Sequence, residues 1–240
     1  MLSRLIFGWI IFCTLAPARA DETPTELECE FGPAPIETFE SGRDLILMLP
    51  EEATAELLSE GRYYAPPGML PAPFCPGLIQ ALVIFDLPRS RVMRLLSETQ
   101  HQSEYLHHAD EMHPVLRSEE ESIVHYELKI LFTRVRYRLH YRFLPAESRI
   151  WWQLNSEYDN DLEAVRGYWN FYSLETTDPG SAEEVGGGES GEGARTLAIY
   201  GTRVNVGTAL PQRMQDSITR KKMKQSIQET REWINAQQGA

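Results

Sequence analysis

From Val124 to Phe143 the chain alternates polar and apolar residues with one interruption, a period of two that only extended strands can bury on a single side. In SIVHYELKILF, residues Val124, Tyr126, Leu128, Ile130 and Phe132 share one face, and His125, Glu127 and Lys129 share the other. In RVRYRLHYRF, residues Val135, Tyr137, Leu139, Tyr141 and Phe143 alternate with Arg134, Arg136, Arg138, His140 and Arg142. Two such stretches side by side make an antiparallel sheet with one wet face. The arginines mark that face, where cross-strand carboxylates such as Glu127 are expected to pair with them. The competing reading is a phosphate or anionic-lipid headgroup site on the same row. A nucleic-acid partner is disfavoured by the charge of the whole chain, which is −12, because affinity for a polyanion comes mainly from cations.

The period of two continues downstream. RIWWQLN places Ile150, Trp152 and Leu154 on a common side, and RGYWNFYSL and TLAIYGTRVNVG are aromatic or β-branched enough to form two more strands. Upstream, LIQALVIFDLP predicts a strand with Ile79, Ala81, Val83 and Phe85 on one face. Pro88 then opens a helix whose inward side is Val92, Leu95 and Leu96, and a second short helix covers residues 102–106. The predicted order is a strand, two short helices, a run of strands and a last helix from Pro211 to about Ala236. Sheet and final helix form two layers, an α+β architecture.

The N-terminus reads as a secretory signal peptide over residues 1–20. One arginine precedes an apolar run from Leu5 to Leu15, and small residues follow, ending Ala18-Arg19-Ala20. The run is short for a bilayer span, and an uncleaved anchor is the competing reading. Cleavage after Ala20 removes Arg4 and Arg19, leaves −14 and places the mature chain in the periplasm or outside the cell. Cys13 departs with the leader. Cys29 and Cys75 remain, and in an oxidising compartment the pair predicts one disulfide tying the N-terminal segment to the main domain, with two free buried thiols as the alternative. Residues 21–77 read as an acidic, proline-rich extension that wraps the domain and carries a short helix in PEEATAELLSEG. The ligand-binding domain spans residues 78–236, and the Gly- and Glu-rich stretch 176–194 reads as a mobile hairpin insertion.

Chemical motifs are sparse. HHADEMH at 107–113 has the composition of a metal site, yet its histidines lack the spacing that a helix would present, so it reads as a polar connection and no metal or cofactor is expected. GGGESG at 186–191 matches a dinucleotide fingerprint only formally, because no helix follows it. The strands are rich in Tyr and Trp, residues that suit a cavity for a mostly apolar molecule and equally suit a plain core. On the last helix Leu210, Met214 and Ile218 form one apolar stripe, displaced from a second made of Met223, Ile227, Trp233 and Ile234, so the helix covers the sheet incompletely. The run RKKMK at 220–224 faces solvent or acidic headgroups.

ALVIFDLPRSRVMRLLSE, DNDLEAVRGYWNFYSLE and TLAIYGTRVNVGTALPQRM, in that order before a long closing helix, resemble the START-related, polyketide cyclase/dehydrase superfamily, nearest to its coenzyme Q-binding branch. The resemblance implies a helix-grip fold, a curved antiparallel sheet around the C-terminal helix with an apolar cavity between. It implies a lipid, sterol, quinone-like or polyketide ligand, and some members of the superfamily are enzymes. Combined with strand parity, it makes Tyr126, Leu128, Ile130, Tyr137, Leu139, Tyr141, Trp152, Leu154, Trp169, Tyr200, Met214 and Ile218 the candidate lining residues. The leading expectation is an exported, non-catalytic protein that shelters one hydrophobic small molecule and touches membranes transiently. A cyclase- or hydrolase-type enzyme working through a cavity tyrosine or histidine is one alternative. An interaction module that recruits a partner through its extension or insertion is another.

Overall fold

The computed structural model describes residues 41–66, 78–107, 109–130, 133–174, 194–206 and 212–239. The expected signal peptide, the Cys29–Cys75 bridge and the acidic insertion lie outside the described residues. Along the chain the elements are α1 (Gly42–Leu47), α2 (Glu51–Glu60), β1 (Arg62–Ala65), β2 (Ile79–Phe85), α3 (Arg89–Ser97), α4 (Gln102–Tyr105), β3 (Glu111–Arg117), β4 (Glu121–Ile130), β5 (Thr133–Leu144), β6 (Arg149–Leu154), β7 (Ala164–Leu174), β8 (Arg195–Asn205) and α5 (Gln212–Ala236). The strands form one antiparallel sheet in the order β1-β2-β8-β7-β6-β5-β4-β3. Each of β3 to β8 pairs with the next, and β2 docks beside β8, so the sheet curls around α5 in the helix-grip arrangement.

The C-terminal end of helix α5 is fastened to the β2–α3 corner. The Arg231 Nε donates to the Ile84 carbonyl at 2.8 Å, and the Asn235 side chain both donates to the Asp86 carboxylate at 2.7 Å and accepts from the Asp86 backbone N–H at 3.1 Å. The Arg231 guanidinium lies over Gly61, whose left-handed φ of 68° ends α2; a Cβ there would fall 2.2 Å from the Arg231 Nη2. The backbone angle is what favours glycine at that corner. In the N-terminal half of α5 the Val206 N–H donates to Gln215 Oε1 at 3.1 Å and the Tyr64 hydroxyl donates to the Lys224 carbonyl at 3.2 Å. Among the described residues no helix is long and apolar enough to cross a membrane.

Strand parity sorts the sheet into two faces. On the concave side Ile79, Ala81, Val83 and Phe85 of β2, Trp169 and Phe171 of β7 and Ala198 of β8 pack with Met223, Ile227 and Ile234 of α5 and with Val92 and Leu96 of α3. On the convex side Leu82, Ile84, Trp151, Tyr168, Tyr172, Leu197 and Ile199 pack under Leu45 of α1 and Ala53 and Leu57 of α2. All seven residues of β2 are therefore buried, and its near-continuous apolar run reflects cover on both faces. Residues 41–66, part of the expected extension, supply an edge strand and this second apolar layer. Strand β1 pairs with β2 from Arg62↔Val83 to Ala65↔Gln80.

Over β3, β4 and most of β5 the convex face meets water. The arginine row lies on it. Arg134 pairs with Glu127 at 2.7 Å, its diagonal neighbour, while the directly opposed Arg136 turns to Asp161 at 3.7 Å. His140 reaches Glu121 at 2.8 Å, and the Arg138 guanidinium stacks over Tyr158 at 4.1 Å from the ring centre. The polar connection expected at HHADEMH is partly a strand, because Glu111–Arg117 forms the edge strand β3 with a register shift between Pro114 and Leu116. An edge position tolerates the missing Pro114 N–H, and its largely exposed side chains show no alternation for sequence reading to detect.

Candidate functional site

Between the concave face and α5 lies a cavity of about 200 Å3. Nine of the twelve candidate residues line it: Tyr126 and Leu128 from β4, Tyr137, Leu139 and Tyr141 from β5, Trp152 from β6, Trp169 from β7, Tyr200 from β8 and Ile218 from α5. Strand register brings them together. Tyr126 opposes Tyr137, Tyr141 opposes Trp152, and Trp169 opposes Tyr200, so aromatic rings face one another across successive strand pairs. Tyr126 and Tyr137 stack with ring centres 5.2 Å apart and planes 10° from parallel; Trp152 stands 5.7 Å from Tyr141 and 5.5 Å from Tyr200, and Tyr200 meets Trp169 edge-on at 4.7 Å.

Two glycines make this packing possible. Gly167 lies directly across from Trp152, and a Cβ on it would come 2.3 Å from the indole; on the other face, Gly201 gives the same relief to Tyr168. A bare backbone opposite each large ring lets the sheet carry aromatics on both sides without splaying.

Three candidates are not on the wall. Met214 is solvent-exposed, at 46%, which corrects its assignment to the cavity. At 100° per residue Met214 lies half a turn from the buried Met223, so it points away from the sheet, whereas Ile218 of the same stripe reaches the wall. Leu154, the last residue of β6, is half-buried against the concave cluster without reaching the cavity. For Ile130 the backbone of β4 is described and the side chain is not.

The cavity also has polar walls, which hydrophobic periodicity could not reveal. On α5 the residues Gln215, Thr219, Lys222, Ser226 and Thr230 recur at spacings of three and four and face the cavity beside Ile218, Met223 and Ile227. The inward stripe of this helix is half polar, so a search for apolar residues at helical period draws it in the wrong place. At the end nearer α4, the Tyr126 hydroxyl donates to Gln102 Oε1, and the Tyr126 and Tyr141 oxygens lie 2.6 Å apart. A phenol has one proton and that of Tyr126 goes to Gln102, so Tyr141 donates to Tyr126 and keeps a lone pair to offer. The Tyr137 hydroxyl makes no hydrogen bond to any described residue.

Burial pushes the phenols of Tyr126, Tyr137 and Tyr141 well above the ordinary tyrosine range and raises Tyr200 to about 12. They are neutral donors and acceptors at physiological pH. Among the described residues the cavity wall carries no Asp, Glu, His or Cys. His125 and His140 are on the convex face: His125 stands 5.1 Å from His113 across β3, with its pKa held down first by burial and then by the His113 charge, and His140 is paired to Glu121. Among the described residues, no three His, Cys, Asp or Glu side chains gather to hold a metal ion. The arrangement can enclose an apolar molecule and hydrogen-bond its polar groups.

No protein-family model and no curated protein matches this sequence. Solved structures do match. The TTHA0849 protein of Thermus thermophilus superposes with a TM-score of 0.54 at 14% identity, over 68% of this chain and 99% of its own. The Zhui aromatase/cyclase of Streptomyces sp. R1128 gives 0.51 at 9% identity, over 65% and 92%. A STAR-related lipid transfer protein of Xanthomonas axonopodis gives 0.51 at 9% identity, over 73% and 94%. At such identities the likeness establishes the fold, which is START-like, and leaves function to the site.

Proposed function

We propose that this protein binds one hydrophobic small molecule, a lipid, sterol or quinone-like compound, in the cavity between sheet and α5, and that it does so as a carrier and not as an enzyme. The observation that supports this reading most is the composition of the wall: aromatic and aliphatic over the sheet, with hydroxyls, amides and one lysine on α5 and α4 and, among the described residues, no Asp, Glu, His or Cys. Burying apolar ligand surface at about 25 cal/mol per Å2 supplies the driving force, offset in part by the ordering of the ligand. The exposed Met214 of α5 and the neighbouring Arg213 and Lys221 suit brief contact with a membrane from which cargo is taken. Export after cleavage at Ala20 belongs to the same proposal and rests on the N-terminal sequence; the intact mass of the native protein checks it, with a chain beginning at Asp21 expected.

Organic extraction of protein purified from its source, followed by mass spectrometry, tests the carrier reading. A lipophilic compound near one equivalent is expected. An empty protein that also fails to bind a neutral dye such as Nile red overturns it, and turnover of a small ester or polyketide mimic would replace it with the enzyme reading.

A further inference from the structure

We infer that the cargo is an amphiphile with a single anionic head, a carboxylate or a phosphate, and that Lys222 receives this head. The inference rests on the carrier reading and deepens it. The chain has 35 acidic and 23 basic residues, yet the wall has no acid and Lys222 is its one charged residue among those described. The Lys222 side chain is half-buried, and no described carboxylate neutralises its ammonium. A lone cation beside low-dielectric walls attracts a negative group and repels a positive one. Thr219, one turn before, lines the same wall and can supply a hydroxyl donor to the same head, in addition to the charge-assisted bond from the lysine. Ser226, one turn after, gives its proton to the Lys222 carbonyl at 2.9 Å and so braces the helix where the lysine leaves it.

The opposite end of the cavity has different chemistry. Thr230 lies eight residues further along α5, about 12 Å at helical rise, on the half of the helix that meets α4. There Tyr126, Tyr141 and Gln102 form a neutral hydrogen-bonded cluster. The wall also carries the rings of Trp152, Trp169 and Tyr200. A molecule with its charge at Lys222 thus lays its apolar body along the aromatic wall and brings at most a neutral polar group to the tyrosine end.

The experiment is displacement of Nile red, a neutral dye, from the full chain by dodecanoate, dodecyl phosphate, dodecanol and dodecylammonium. Both anions are expected to displace the dye at concentrations about tenfold lower than dodecanol, the scale of one charge-assisted contact, and dodecylammonium is expected to be the weakest. Lys222→Met should abolish the advantage of the anions over dodecanol, read as the ratio of their potencies within the same variant; Lys222→Arg should keep the advantage. Comparing dodecanoate with dodecyl phosphate separates the carboxylate from the phosphate. Equal potency of dodecanoate and dodecanol on the wild type, or an anion preference that survives Lys222→Met, overturns the inference while dodecanol binding leaves the carrier reading standing. Failure of every neutral compound to bind overturns both.

Discussion

The pair Gly167→Ala and Gly201→Ala separates the cavity face from the rest of the sheet with two chemically identical changes. At Gly167 the new methyl would fall 2.3 Å from Trp152 and 2.6 Å from the Gly201 carbonyl; at Gly201 it would fall 2.4 Å from Tyr168. All three distances are below any real contact, so rings or strands must shift, and overpacking of this kind costs about 1–3 kcal/mol. For a chain of this size that lowers the melting temperature by about 2–12 °C. The two variants should destabilise alike and differ in binding. Displaced by the Gly167 methyl, the Trp152 indole has Tyr141 and Tyr200 beside it and the cavity in front, so it moves into the ligand volume. Tyr168 moves toward α1 and α2, on the opposite face. Thermal unfolding by near-ultraviolet circular dichroism reads stability, and Nile red titration at a temperature where both variants are folded reads the cavity. Gly167→Ala is expected to weaken dye binding at least fivefold and Gly201→Ala less than twofold. Equal losses in the two variants, or undiminished binding with Gly167→Ala, would refute the placement of the site on the concave face.

Two further predictions concern charge. The buried phenols of Tyr126, Tyr137, Tyr141 and Tyr200 have folded pKa values above the 10 of an exposed tyrosine, so the stability they contribute is fully present below pH 10 and is lost as pH rises toward and through the folded values. Phenolate absorbance near 295 nm should therefore show a set of tyrosines that ionise only together with unfolding above pH 10; smooth titration of all ten at native structure would contradict their burial. On the convex face, Arg134→Gln with Arg142→Gln should shift the urea midpoint by the equivalent of less than about 1 kcal/mol, because exposed pairs contribute little, and should leave Nile red affinity unaltered. A tenfold loss of dye affinity in that double variant would mean that the arginine row faces the ligand.

What the sequence determined by itself is the direction of the side chains. A strand has a strict period of two, so Tyr126, Tyr137, Tyr141 and Trp152 had to share a side opposite Glu127, Arg136 and Arg138 once the stretch was extended, whatever the rest of the molecule did. The closing helix and the strand after the proline-rich segment were legible for similar reasons, their apolar patterns being long and locally consistent. Tertiary structure decided what covers each face. That Leu82, Ile84, Tyr168 and Tyr172 are buried under α1 and α2 depends on a segment far away in the chain, and short strands such as β1 and the proline-bearing β3 take their conformation from a neighbour's hydrogen bonds, not from their own pattern. The same holds for α5. Its inward stripe runs through Gln215, Thr219, Lys222 and Ser226 because those residues face a cavity, where polar groups meet ligand or water, and a rule that places apolar residues inward cannot anticipate the one place where the interior is left unfilled.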